Sequence, residues 1–126
     1  WYFMQNLRAR GRMAIEARFA ADDVIRQETL AQSYGQQSRG PAQARGSGAL
    51  ALTKNELMFL LYVPERELRI PLASIGAVSL VRSHLGKTGG VKILHVTFTL
   101  DGMEDAIAWR VPDPAAWKAE LDTLRG

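Results

Sequence analysis

Hydrophobic and polar residues alternate through much of the chain after residue 48, with the period of two that is typical of β-strands. The clearest example is 92–100. One face carries Leu94, Val96, Phe98 and Leu100, and the other carries Ile93, His95, Thr97 and Thr99. Asp101-Gly102, a strong hairpin turn signal, joins this segment to a second strand at 104–111. In that second strand we expect Ile107, Trp109 and Val111 to face inward.

Further strand signals occur at short spacing along the chain. They predict strands at 24–31, 49–53, 56–63, 67–72 and 74–82, with a long loop or irregular hairpin at 33–47 and another loop at 84–90. The segment 56–63 is apolar on both faces, as in a strand that is covered on both sides. About seven antiparallel strands without intervening helices favour a barrel or two orthogonal sheets over a parallel sheet.

One helix is predicted at each end of the chain. At the C-terminus, Asp113 is a suitable N-cap and Pro114 suits the first helical position. Trp117, Leu121 and Leu124 then form one apolar stripe that can close an opening of the barrel. At the N-terminus, 7–21 reads as a helix with a thin apolar stripe, and we expect it to pack weakly or to act as a connector. The predicted division is a basic helix at 1–21 and a mainly β domain at 22–126.

The net charge of +3 is concentrated near the N-terminus. The basic residues among the first 18 positions are Arg8, Arg10, Arg12 and Arg18, and Glu16 is the only acidic residue there. Of the 16 basic and 13 acidic residues, the other 12 and 12 cancel. Because the β domain is formally neutral, we do not expect it to bind nucleic acid.

The first residues are typical of the cytoplasmic edge of a membrane span, where aromatic side chains and arginines collect. The membrane-proximal residues of this interpretation are Trp1, Tyr2, Phe3, Arg8, Arg10 and Arg12. It places the chain in the cytoplasm at the inner face of the membrane, held by an anchor upstream of Trp1. It also predicts contact with an anionic membrane surface through the N-terminal segment. The alternative is an ordinary amphipathic helix with a frayed start.

Several short strings resemble a known family. They are 45–53, Ile70-Pro71-Leu72, 83–87, and Ala108-Trp109 followed by Asp113 and Trp117. With the order of elements over 22–125, they are similar to the pleckstrin-homology superfold, including its bacterial PH-like and GRAM-like domains. More closely, they resemble a small bacterial family of unassigned function, several members of which look membrane-anchored at the N-terminus.

The resemblance implies a PH-like barrel of about seven antiparallel strands, capped by a C-terminal helix, that binds a lipid, a peptide or a protein. Lipid-binding members carry several Lys and Arg residues in the loop between the first two strands. Here that loop holds only Arg39 and Arg45, which argues against tight binding of a phosphoinositide headgroup.

The strongest candidate site on sequence is 82–87. Its polar residues are Arg82, Ser83, His84 and Lys87, next to a glycine that could expose backbone N–H groups to an anion. The second interpretation is a hairpin loop in which Ser83 and His84 hydrogen-bond the backbone and fix its shape. Arg39 and Arg45 are the other anion-binding candidates.

Enzymatic motifs are weak in this sequence. Gly86-Lys87-Thr88 is no P-loop, because Val81 occupies the position of the first glycine and no helix is predicted to follow. The chain has two histidines and no cysteine, so we expect no metal, no cofactor and no catalytic residue, and His95 is expected at the surface or facing a partner. The acidic residues Asp101, Glu104 and Asp105 are expected to be solvated.

These observations favour a non-enzymatic PH-like binding or scaffolding module near a membrane. Its expected partner is a protein or peptide, bound at a sheet edge or by the loops at one end of the barrel. The alternative function is binding of an anionic lipid or phosphate by Arg39, Arg45, Arg82 and Lys87.

Overall fold

A computed structural model describes residues 2–40, 43 and 45–126 and has seven antiparallel strands between two helices. The elements are α1 (Tyr2–Arg18), β1 (Val24–Gln36), β2 (Gly46–Thr53), β3 (Glu56–Leu61), β4 (Arg66–Pro71), β5 (Ile75–His84), β6 (Lys87–Leu100), β7 (Met103–Arg110) and α2 (Pro114–Arg125). Single 3₁₀ turns lie at Ala21–Asp23, Gln37–Arg39 and Leu72–Ser74. The mainly β prediction with a helix at each end is confirmed. Trp1, one of the predicted membrane-proximal residues, lies outside the described residues.

All seven strands belong to one sheet with the order β4-β3-β2-β1-β7-β6-β5. Strands β1 and β7 join its two halves through three residue pairs, with a register shift between Ser33 and Gln36. Strand β1 also has register shifts against β2, between Val24 and Arg26 and between Glu28 and Ala31. Such bulges bend a strand and increase its twist, which lets the sheet curl around a core.

The curl brings side chains from both halves of the sheet into a single apolar core. Its buried members include Leu50, Leu57, Phe59 and Ile70 from β2–β4, and Leu94, Val96, Phe98, Ile107 and Trp109 from β6 and β7. The rings of Phe59 and Trp109 meet edge to face, with centroids 5.6 Å apart. The predicted inward residues of 104–111 are therefore confirmed, and the face of 92–100 that carries Leu94, Val96 and Phe98 is the one that faces this core.

Helix α2 closes the core with the predicted stripe. Trp117 and Leu121 are buried, and Leu124 packs against the same cluster. The Asp113 carboxylate accepts a hydrogen bond from the Ala116 N–H at 3.2 Å, which caps the helix as predicted.

Helix α1 packs closely on the outer face of the sheet. Ile15 is buried in a cluster with Met58, Leu60 and Tyr62 of the sheet. A Cβ atom at Gly11 would lie 2.2 Å from the Tyr62 Oη, so glycine is what lets the helix approach this strand. The prediction that α1 packs weakly is wrong. The small residue Gly11 lets the helix lie close to the sheet, so that it packs there without a wide apolar stripe. The helix also begins earlier and ends earlier than the predicted 7–21.

Two predicted loops are shorter than expected. Strand β1 runs on to Gln36 and β2 begins at Gly46, so the two ends of 33–47, at 33–36 and 46–47, are strand. The expected loop at 84–90 is a tight turn at Leu85-Gly86, with φ of 53° and 75°, because His84 pairs with Lys87. Backbone pairing extends both strands beyond the segment in which their side chains alternate.

Candidate functional site

A cleft of about 330 Å³ opens where the connection between β1 and β2 faces the turn between β3 and β4. Six apolar side chains contribute to its lining: Phe59 and Ile107 are buried, Leu61 and Leu68 are half-buried, and Val63 and Pro64 are exposed. Its cationic residues are Arg39, Arg45 and Arg66. The cleft thus combines an apolar interior with a positively charged rim.

The carboxylates near the cleft, Glu67 and Asp105, are engaged by residues other than its three arginines. Among the described residues, none of the three arginines forms an ion pair. Glu67 is the one carboxylate in the lining, and its Oε1 accepts from Arg18 of α1 at 2.8 Å and 3.1 Å. The hydrogen bond from Arg18 lowers the pKa of Glu67, against a smaller opposing effect of burial. Glu67 is therefore ionised, and its Oε1 is bound by Arg18 of α1 and not by an arginine of the cleft.

Arg45 is held in place by two contacts. Its guanidinium stacks over the ring of Tyr34, 4.4 Å from the centroid. Its Nη2 donates to the backbone oxygen of Thr88 at 2.7 Å. Because Tyr34 is buried and Thr88 belongs to β6, the far half of the sheet positions a cation of the cleft.

The side chain of Gln43 bonds to other described residues of the connection before Arg45. Its Nε2 donates to the backbone oxygens of Gln36 at 2.7 Å and Gly40 at 2.6 Å, and its Oε1 accepts from the Gln36 N–H at 3.1 Å. Gln43 thereby closes a ring across the described part of this connection. Such bonds reduce the ordering cost of binding at the cleft.

Arg66 completes the cleft and was not among the residues predicted from sequence. It lies in β4, where it pairs with Leu61, and that pairing brings it to the cleft.

No family model and no curated protein matches this chain. The function of the cleft is therefore inferred from the chemistry of its residues.

The predicted anion loop at 82–87 is the end of a hairpin, and its histidine makes a structural contact. His84 is buried, and its Nε2–H donates to the Gly35 backbone oxygen at 2.9 Å. This bond agrees with the second interpretation of the segment, in which His84 fixes the shape of the chain. Arg82 and Ser83 are exposed, and neither Arg82 nor Lys87 lines the cleft that contains Arg39 and Arg45.

His95, expected at the surface or facing a partner, is half-buried against His84. The two rings meet edge to face with centroids 5.0 Å apart. Burial lowers the pKa of both imidazoles. For His84, Lys87 adds to this effect, while the Gly35 hydrogen bond and the charge of Asp105 oppose it; for His95, the charge of His84 adds to it. Among the described residues, no three His, Asp or Glu side chains are placed to hold a metal ion.

The histidine pair predicts that the protein loses stability in mild acid. A histidine whose pKa is lower in the folded state binds more protons when unfolded. The free energy of unfolding therefore decreases as the pH falls from about 6.5 through the lowered pKa. Urea titrations at pH 7.5 and pH 5.0 measure the loss. The double variant His84→Gln, His95→Gln should show a smaller difference between the two pH values, and an unchanged difference would contradict this origin.

Asp105 was expected to be solvated, but its carboxylate is a structural anchor. It accepts hydrogen bonds from Gln36 Nε2 at 2.7 Å, from the Ser38 N–H and hydroxyl at 2.9 Å and 2.7 Å, and from the Ala106 N–H at 2.8 Å. Burial raises the pKa of Asp105, but these bonds together lower it below its usual value. Asp101 and Glu104 are exposed, as expected. Asp105 thus holds the turn that carries Arg39.

The N-terminal arginines divide into two groups. Arg10 pairs with Glu65 at 2.6 Å and stacks over Tyr62, and Arg18 pairs with Glu67. Arg8 and Arg12 are exposed. Part of the N-terminal positive charge is therefore balanced by carboxylates near β4. Neither helix of the described residues is both long enough and apolar enough to cross a membrane.

Proposed function

We propose that this chain is a non-enzymatic PH-like binding module that takes an acidic and partly apolar peptide segment of a protein partner into the cleft. The observation that carries the proposal is a group of three arginines, Arg39, Arg45 and Arg66, around an apolar lining; none of them has an ion-pair partner in the part of the chain that the structure describes.

Each part of the cleft matches one part of such a peptide. Arginine binds carboxylates through two parallel hydrogen bonds, which fixes the orientation of the bound group. The apolar lining offers a surface to a bulky side chain next to the carboxylate. The volume lies at the small end of ligand sites, which run from about 300 to 1,000 Å³, so a short motif suits it.

A phosphate or lipid headgroup is the second candidate, because the same arginines attract any anion. The geometry favours the peptide for two reasons. A compact phosphate leaves Leu61 and Leu68 unused, and Arg82 and Lys87 of the predicted phosphate set do not line the cleft. The peptide uses both the charge and the apolar surface.

The module is proposed to work at the inner face of a membrane, held by a segment upstream of Trp1. The exposed aromatic residues of the first helical turn and the exposed Arg8 and Arg12 support this position. The strand order and the closing helix α2 support the proposed assignment to PH-like domains.

The test uses a short fluorescent peptide that alternates glutamate with phenylalanine or leucine, read by fluorescence anisotropy. Arg45→Glu is expected to weaken its binding at least tenfold, which is about 1.4 kcal/mol. Lys54→Glu is the matched control, because Lys54 is exposed in the turn before β3 and the charge change is the same. A peptide with lysine in place of glutamate should not bind.

Other outcomes decide between the candidates. Equal binding of the glutamate and lysine peptides would refute the acidic ligand. If inorganic phosphate or inositol phosphate binds while the peptide does not, the cleft is an anion site. Arg82→Glu then tests the predicted phosphate set, since it should weaken phosphate binding only if Arg82 belongs to the site.

A further inference from the structure

The first turn of α1 exposes a group of large apolar side chains. Tyr2 is 75% exposed, Phe3 69% and Met4 49%. Isolated exposed apolar residues are ordinary, but three in succession at one helix end mark a contact surface.

This turn faces the far half of the sheet across a shallow groove. Phe3 and Met4 line the groove together with Val91 and Lys92 of β6 and with Arg110 of β7. Val91, like the first turn, is exposed. Residues distant in the chain therefore form one apolar and cationic face, called the docking face below.

The docking face is positive and lacks acidic residues. No Asp or Glu lines the groove, and among the described residues neither Lys92 nor Arg110 forms an ion pair. Arg8 is exposed one turn after Met4. The nearby Asp113 carboxylate is engaged by the Ala116 N–H in the cap of α2.

We infer that the docking face binds the surface of an anionic lipid bilayer. Tyr2, Phe3, Met4 and Val91 enter the interface between headgroups and acyl chains, where aromatic side chains are favoured. Arg8, Lys92 and Arg110 lie among the headgroups, where each cation is attracted by the negative surface potential. The inference rests on the proposed membrane-proximal position and adds the face by which the module meets the lipid.

This orientation has a consequence for the peptide cleft. Gly46 lines the cleft and its neighbour Ser47 lines the groove, so the start of β2 contributes to both sites, from opposite faces of the sheet. A peptide in the cleft is then held on the other side of this strand from the lipid surface. The partner segment that fits this geometry is one near a membrane.

The test is co-sedimentation of the full chain with vesicles of phosphatidylcholine, with and without phosphatidylglycerol. Binding is expected only with the anionic lipid and should weaken as salt is raised. Lys92→Glu should reduce the partition coefficient by roughly thirtyfold, because one attraction is lost and one repulsion is gained. Lys54→Glu makes the same charge change away from the docking face and should leave the coefficient unchanged.

A second pair of variants separates insertion from charge. Phe3→Ser should reduce binding at least fivefold, whereas Met103→Ser should not, although Met103 is equally exposed at 67%. Circular dichroism of each variant checks that the fold is retained.

Three results would overturn the inference: no binding to anionic vesicles, equal effects of Phe3→Ser and Met103→Ser, or a dimer in sedimentation velocity that Phe3→Ser dissociates. The last result would assign the docking face to a second copy of the chain. The peptide proposal fails separately, because Arg45→Glu and the anisotropy assay do not depend on lipid.

Discussion

Trp109→Ala is expected to lower the free energy of unfolding by about 3–5 kcal/mol, a large part of the stability of a domain of this size. Trp109 is fully buried in β7 and touches Phe59 of β3 edge to face, so it joins the two halves of the curled sheet. Removing the indole leaves a cavity that the surrounding strands can fill only in part. Equilibrium unfolding in guanidinium chloride, followed by circular dichroism, measures the change.

Two controls isolate this contribution. Trp109→Phe should cost much less, because the ring contact remains and the indole Nε1 has no hydrogen-bond partner among the described residues. Tyr2→Ala removes a ring that is 75% exposed and should change the free energy by less than about 0.5 kcal/mol. A loss from Trp109→Ala no larger than that from Tyr2→Ala would show that the two halves of the sheet do not depend on this contact.

Gly48→Ala is expected to be the second most damaging change, at about 2–3 kcal/mol. A Cβ atom at Gly48 would lie 2.3 Å from the backbone oxygen of Leu60 and 2.6 Å from the ring of Phe59. Gly48 sits in β2 between β1 and β3, so the backbone cannot move away without breaking pairing on one side. Thermal and urea unfolding of the alanine variant give the loss.

Gly46→Ala is the matched comparison in the same strand. Its Cβ atom would meet the Leu61 Cδ1 at 2.6 Å, the end of a half-buried side chain that can rotate. The expected cost is below about 1 kcal/mol. If the two glycine variants were equally stable, the close approach of β3 to Gly48 would not be the limiting contact.

Local signals account for the parts of the fold that could be predicted. Alternation over 92–100, the Asp101-Gly102 turn and the Asp113 cap each depend on a few neighbouring residues. These predictions agree with the structure because the same residues make the contacts that the pattern implies. The apolar stripe of Trp117, Leu121 and Leu124 is of the same kind, since one helical face must be buried.

The packing of α1 shows where local signals stop. Its apolar stripe is thin, and the sequence suggested a weakly packed helix. The contact depends on Gly11, on the size of Tyr62 and on a strand more than 40 positions further along the chain. The pattern of apolar residues in a helix does not reveal the shape of the surface against which that helix packs.

The site residues show the same limit. His84 and Asp105 looked like loop or surface residues, yet their partners Gly35, Gln36 and Ser38 lie in the first third of the chain. Arg66 gave no signal at all, because only strand pairing brings it to the cleft.

The sequence alone determined the mainly β class, the turns and caps that connect the later strands, the two faces of β6, the inward face of β7, and the location of the excess positive charge. Hydrophobic periodicity and turn chemistry act over a few residues, so they can be read without a structure. Tertiary structure alone decided which arginines share a cleft and which histidine donates a hydrogen bond to the backbone of a distant strand. It also decided which residues of α1 and β6 line the docking face together. Those features depend on the curl of the sheet, which places side chains from distant strands within a few ångströms of one another.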